Sequence, residues 1–222
     1  MAPRVGVDEA GKGPVLGSMF AAAVRVADAG ALPEGVDDSK HLAPGRREAL
    51  AAAIRDDPAV AVGVAEVPVE RIDDPATDMN TLTVGAQAEA VAAVAREGDP
   101  VVADAGDTSE ARFARRLGEA ATTDVDVTAE HGADERHDVV GAASVVAKVA
   151  RDAHVDALAA EHPAVVAAHG DLGSGYPGDR ATRAFLESYV AEHAAVPPFA
   201  RSSWATCEDL LADAEQSGLG EF

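Results

Sequence analysis

The sequence predicts an α/β protein, a mixed five-stranded sheet flanked by helices with a helical C-terminal extension. Three observations predict it. Five short valine-rich runs read as strands, and stretches with helical spacing separate the later ones. The first two runs flank a glycine-proline turn, which suits antiparallel pairing, whereas the fourth and fifth flank a helix, which suits parallel pairing. Beyond residue 130 only helical patterns and loops follow.

The elements run in this order. Residues 5–7 form the first strand, and 15–26 the second, through Leu16, Met19, Phe20 and Val24. A Gly/Pro loop covers 27–36. Pro44 suits a helix start, and Leu50 and Ile54, four apart, mark a helix over 46–55. Residues 60–67 are the third strand and 72–77 a loop. Asn80 or Thr81 caps a helix to Arg96, with Leu82, Val84, Val91 and Val94 on its apolar side and Gly98-Asp99-Pro100 ending it. The fourth strand, 101–104, ends on Asp104. Thr108 or Ser109 caps a helix through Phe113 and Leu117, and 125–130 alternate as the fifth strand. A polar stretch, 131–138, leads into a long helix over 140–160. Residues 162–177 read as an irregular glycine-rich loop, 179–193 as a helix with Phe185, Leu186 and Tyr189, and 207–216 as a last short helix after Pro197-Pro198. The expected division is a sheet domain over 1–160, a helical part over 161–215 and a tail over 216–222.

Composition narrows the function classes. The 222 residues suffice for a substantial core. No run of about eighteen apolar residues occurs, so no membrane association is expected. Asp8 arrives too early for a signal peptide, and the lone Cys207 excludes an internal disulfide, so a cytoplasmic protein is expected. The net charge of −21 would by itself argue against nucleic acid. The acids are spread along the whole chain, however, and lysine occurs only at 12, 40 and 148. Such a surface suits high salt, where charges are strongly screened, and it leaves the ligand open.

Four acids stand at informative places. Asp8 and Glu9 end the first strand, Asp104 ends the fourth, and Asp134 precedes the long helix. Side chains alternate along a strand, so for Asp8 and Glu9 to serve one site the backbone is expected to leave the strand there, as the glycines that follow permit. With strands one and four parallel neighbours, Asp8 and Asp104 would lie side by side at the carboxyl edge, where open α/β sheets bind ligands. Oxygen-only ligation suits Mg²⁺ or Mn²⁺, and two such ions can drive phosphodiester hydrolysis. In a chain with 39 acids, each of these could equally be a solvated surface charge.

Val7-Asp8-Glu9-Ala10-Gly11-Lys12-Gly13-Pro14-Val15-Leu16-Gly17 closely resembles the signature of the type 2 ribonucleases H, the ribonuclease HII family. Asp38-Ser39-Lys40-His41-Leu42 resembles the family's D-S-K-K-L, with His for the second Lys. Val102-Ala103-Asp104-Ala105 resembles its third-carboxylate strand. Glu130-His131-Gly132-Ala133-Asp134 resembles E-H-K-A-D, with Gly for Lys. The run from Ala142 to Val149 resembles the helix that follows, and Gly173-Ser174-Gly175-Tyr176-Pro177-Gly178-Asp179 resembles G-S-G-Y-P-S-D. The matches keep the family's order over nearly the whole chain and are closest to archaeal members.

The resemblance implies a ribonuclease H-like fold and an endonuclease that cuts the RNA strand of RNA/DNA hybrids and incises at ribonucleotides embedded in duplex DNA. It would leave 3′-hydroxyl and 5′-phosphate ends. Asp8, Glu9, Asp104 and Asp134 would be the catalytic, metal-binding acids. Gly11, Lys12 and Gly13 with Tyr176 would contact the ribonucleotide, whose 2′-hydroxyl separates RNA from DNA. Ser39, Lys40, Ser144 and Lys148 would touch backbone phosphates, with Arg46 and Arg47 weaker candidates. Lys12 stands where Arg is usual, keeping the charge without the planar fork, and the changes at His41 and Gly132 remove positive charge beside the site. His131 and His137 flank Asp134 without a fourth ligand at zinc spacing, so hydrogen-bonded or solvated histidines are expected. Gln216, Leu219 and Phe222 resemble a peptide that docks on sliding clamps. A monomer is expected. The other readings are a junction resolvase-like nuclease of the same fold and a non-catalytic nucleic-acid or clamp-binding module.

Overall fold

The computed structural model describes residues 4–27, 31–36 and 42–219. Strands β1 (Arg4–Ala10), β2 (Met19–Val26), β3 (Val60–Val67), β4 (Asp99–Asp104) and β5 (Val125–Glu130) form one sheet in the order β3-β2-β1-β4-β5. The first three pair antiparallel, while β1/β4 and β4/β5 pair parallel. The mixed sheet and the β1–β4 neighbourhood are therefore as the sequence predicts.

Helices α1 (Pro44–Asp56), α2 (Val69–Ile72), α3 (Met79–Ala92), α4 (Glu110–Ala120), α5 (Asp138–Glu161), α6 (Pro163–His169), α7 (Arg180–His193) and α8 (Ala205–Leu219) lie among the described residues. The chain forms two compact units. One holds the residues up to Lys12 with 19–67 and 77–151, and the other holds 13–18, 68–76 and 152 onward.

In the first unit the sheet has helices on both faces. Ala22, Val24 and Val26 of β2 share a buried cluster with Leu50, Ala51 and Ile54 of α1 and with Val139, Val140, Ala143 and Val146 of α5. Gly6 lets α5 approach β1 closely, since a Cβ there would sit 2.4 Å from the Val139 carbonyl. On the other face a Cβ at Gly63 would lie 2.5 Å from the Ala90 carbonyl of α3. Alanine and glycine, rather than large aromatics, set these short separations.

In the second unit Val15, Leu16, Leu172, Phe185, Leu186, Val190, Phe199, Cys207 and Leu210 make a separate core. Buried Arg201 ties this unit together. Its Nε donates to the Gly17 carbonyl at 2.9 Å, and its guanidinium lies 5.0 Å from the Trp204 ring.

Several sequence expectations need correction. The backbone does not leave β1 at the paired acids, because Asp8 stays opposite Ala22 and Glu9 opposite Ala21 in regular register. The second strand begins at Met19 rather than Val15. Val15 and Leu16 bury in the helical core, and Leu16 bridges to Ala200, so these apolar residues serve packing and not the sheet. Residues 162–177 contain α6, started by Pro163, and the loop expected over 72–77 is preceded by α2. The cap of α3 is Asp78, whose carboxylate accepts from the Asn80 and Thr81 backbones, and α3 ends at Ala92. The last helix continues to Leu219. Ser39 and Lys40 lie outside the described residues.

Candidate active site

Register places the acids. Val7 of β1 pairs with Ala103 of β4, so Asp8 and Asp104 follow side by side at the carboxyl edge of the parallel pair. Asp8 points to the α5 face, where the Ser144 hydroxyl donates to its carboxylate. Glu9 points to the opposite face, where Gln87 Nε2 of α3 donates to its Oε2 at 2.6 Å. The two acids thus meet the site from opposite sides of one strand, with Asp104 acting on both. Gln87 also reaches the Asp104 carbonyl at 3.2 Å, so one buried amide spans two of the acid-bearing strand ends.

Asp134 is buried in a 3-10 turn, Ala133–Glu135, between β5 and α5. The backbone N–H of Ala133 donates to Asp104 Oδ1 at 2.7 Å, so Asp134 follows directly on a residue bonded to the third acid. Gly132 precedes it with φ 65°, a left-handed turn that glycine adopts freely. That turn explains why a Gly is acceptable where the family pattern carries Lys.

The electrostatics are those of crowded anions. Burial first, then Glu9 and Asp104, pushes the Asp8 carboxyl well above the usual range against the Ser144 hydrogen bond. Burial likewise raises Glu9 from 4.5 to about 7, opposed by Lys12 and Gln87 and reinforced by Asp104. The Lys12 ammonium donates to the Gly106 carbonyl and lies 3.5 Å from Asn80 Oδ1. A Cβ at Gly106 would crowd Glu9 Oε1 at 3.1 Å and Lys12 Nζ at 3.2 Å, so this glycine shapes the rim.

Lys148 lies four residues after Ser144 on α5, both half-buried. In the second unit Tyr176 is 37% exposed, and its Cε1 would lie 3.8 Å from a Cβ at Gly13. The Gly175 carbonyl accepts from the Val15 and Leu16 backbones, which fixes the tyrosine loop to the turn that carries Gly13. Gly11 has φ 92°. Ser174 N–H donates to Asp179, the cap of α7, and Gly175 N–H donates to Thr182 Oγ1. The loop therefore presents a partly exposed ring, whereas Tyr189 packs against Phe185.

His131 and His137 each have partners in the fold. His131 Nε2 lies 2.7 Å from the Asp107 carbonyl and its Nδ1 3.0 Å from Glu110, while His137 Nε2 lies 3.2 Å from Glu130. Hydrogen bonding accounts for both rings.

Residues 5–207 match the family model for ribonuclease HII. The chain belongs to the ribonuclease HII family. A ribonuclease HII of Haloarcula marismortui is 63% identical over 219 residues, covering 99% of this chain and all of that protein. The crystal structure of the ribonuclease H2 from Pyrococcus horikoshii superposes with a TM-score of 0.84 at 31% identity, covering 96% of this chain and 99% of that one. A ribonuclease HII from Archaeoglobus fulgidus, solved as a complex with PCNA, gives 0.81 at 36% identity, covering 93% and 96%. As a type 2 ribonuclease H the chain is a hydrolase that acts on RNA/DNA hybrids. The resolvase-like reading falls with this assignment.

Sequence reasoning missed Gln87 and Gly106. Gln87 carries a legible signal, a long polar side chain set among Leu82, Val84 and Val91 on the buried side of the helix. Gly106 carries none, since only the fold brings it against Glu9.

Proposed function

We propose that Asp8, Glu9, Asp104 and Asp134 hold Mg²⁺ or Mn²⁺ and that the chain uses this site to cut the RNA strand of hybrids and to incise at single ribonucleotides in duplex DNA. The observation that carries the reading is the mutually repelling trio at the carboxyl edge of β1 and β4, with Asp8 buried and Glu9 and Asp104 half-buried. The donor set is all oxygen, and burial and mutual repulsion raise the Asp8 and Glu9 carboxyls, which fits a site that a hard divalent cation would relieve. Bound there, the cation would supply Lewis-acid activation of water and stabilisation of the leaving oxygen.

The chain's own residues do the rest. Ser144 and Gln87 orient Asp8 and Glu9 from opposite faces of the sheet. Gly11, Lys12 and Gly13 with Tyr176 contact the ribonucleotide, and the ring and the glycine it covers already lie together. Phosphate needs a donor, and the Ser144 proton is directed at Asp8, so Lys148, one turn further along α5, is the better phosphate contact of that helix. Ser39 and Lys40 keep their proposed phosphate role. Cleavage leaves 3′-hydroxyl and 5′-phosphate ends. No described helix is long and apolar enough to cross a membrane, and we place the enzyme in the cytoplasm as a monomer.

The clamp reading rests on α8, which puts Gln216 and Leu219 three residues apart on one helical turn, with Phe222 outside the described residues. The complex formed by the Archaeoglobus fulgidus relative supports it.

The deciding assay uses a duplex with one embedded ribonucleotide and a continuous hybrid, with Mg²⁺ or Mn²⁺ in molar salt. Asp104→Asn should lose at least about a thousandfold in rate with its circular dichroism unchanged. Full activity in that variant would remove the metal-site reading. Tyr176→Ala should lose more on the single ribonucleotide than on the hybrid. Deleting residues 216–222 should abolish clamp capture and leave hydrolysis unchanged, and undiminished capture would end the clamp reading.

A further inference from the structure

The ends of α6 and α7, in the second unit, carry a group of side chains that hydrolysis does not use. His169 is the last residue of α6 and His193 the last of α7, with Glu192 beside it. One ligand atom from each of His169, Glu192 and His193 lies within 4.8 Å of the others. His169 is buried, while Glu192 and His193 are open to solvent. We propose that these three side chains bind a transition-metal cation of the Zn²⁺ class and so clamp α6 to α7.

Two imidazole nitrogens and one carboxylate are donors that such a cation accepts, and the two imidazoles are poor donors for Mg²⁺. The buried imidazole is oriented in advance. Its Nδ1 lies 3.1 Å from Ser188 Oγ, which leaves Nε2 facing Glu192 Oε2 at 4.0 Å. A metal-binding histidine is commonly held in this way by a partner on its other nitrogen. Donors on one tetrahedral ion are about 3.3 Å apart, given bonds of about 2.0–2.1 Å. Closing from the present spacing asks for movement of about an ångström, and the solvent-exposed Glu192 and His193 have the rotamer freedom to supply it.

Both histidines also end helices, where the backbone carbonyl dipoles favour positive charge. Aromatic packing explains part of the arrangement, since His169 stands edge-on to Tyr189 at 5.1 Å and to Phe185 at 6.4 Å. His193 joins the same cluster, 5.3 Å from the His169 ring and 4.4 Å from Tyr189, but ring packing does not explain why a carboxylate gathers there as well.

The test titrates the full-length protein with Co²⁺, in molar salt with excess Mg²⁺ to occupy the carboxylate site. Nitrogen ligation at low coordination number gives Co²⁺ a strong visible absorption that an oxygen-only octahedral site does not. The expected result is one equivalent of strongly absorbing Co²⁺, displaced by one equivalent of Zn²⁺. Asp104→Asn should keep this signal. His193→Ala, an exposed change, should abolish it, and Glu192→Gln should weaken binding at least tenfold, both with ribonuclease activity retained. A wild-type spectrum of the weak octahedral kind overturns the proposal. So does a His193→Ala protein that titrates like wild type, or a signal lost in Asp104→Asn instead.

Discussion

Replacing Glu9 with glutamine should stabilise the metal-free protein at pH 8, although it removes a carboxylate from the centre of the site. Burial lifts this carboxyl from 4.5 to about 7. A rise of that size corresponds to about 3 kcal/mol, at about 1.36 kcal/mol for each tenfold change in proton affinity. Glu9 keeps part of its surface open, and the amide forfeits the attraction of Lys12, so the expected gain is about 1–3 kcal/mol. In a chain of this size that is a rise in Tm of roughly 3–9 °C. The Gln87 hydrogen bond survives, because the new side chain still offers a carbonyl oxygen.

The pH dependence follows from the direction of the shift. The folded form holds this proton more tightly than the unfolded form. The penalty is therefore absent below about 4.5, grows as pH rises towards about 7, and is complete above that. Molar salt shortens the screening length to about 3 Å, but burial is not a long-range charge effect, so the gain should persist in the salt that an acidic protein needs. The assay is thermal unfolding of both proteins in molar KCl with chelator, at pH 4.5, 6 and 8. The curves should coincide at the lowest pH and separate at the highest. Adding Mg²⁺ or Mn²⁺ at pH 8 should then raise the wild-type Tm more than that of the variant. A variant no more stable than wild type at pH 8, or a difference that ignores pH, would refute the account of a buried, strained carboxylate cluster.

Gly6→Ala should cost at least about 3 kcal/mol, seen as a lower midpoint in denaturant, because its Cβ would meet the α5 backbone at 2.4 Å and no side chain can yield there. Gln87→Ala should fold but lose roughly ten- to a hundredfold in kcat and demand more divalent cation, since Glu9 loses the donor that orients it; unchanged kinetics would deny Gln87 a positioning role. Asp179→Ala should lower the Tm at neutral pH, because hydrogen bonds from Ser174 and from the Ala181 backbone hold this carboxyl down at about 2. A depressed carboxyl contributes stability above its unfolded value of 3.8 and loses it as pH falls through about 2, so melting curves of variant and wild type should converge in acid.

The five strands, the sheet type and the strand ends near which three of the four acids stand are legible in the residues alone. Valine-rich runs, glycine turns and helical spacing are local properties, and β3 and β5 begin and end where their patterns say. Motifs that stand in the family's order along the chain were enough to identify the family. What they left undecided was which atoms meet. Asp8 and Glu9 looked as though they needed a break in the strand to share a site. The fold instead lets β1 run on regularly, with α5 and α3 supplying one partner to each face. Val15 and Leu16 have strand-like chemistry, yet they bury in a helical core drawn from residues more than a hundred positions away. Gly106 beside Glu9, and His169 beside His193, are likewise juxtapositions of chain segments whose local patterns carry no record of each other. Only tertiary structure decides such contacts, because periodicity specifies which face of an element is apolar and not which partner will cover it.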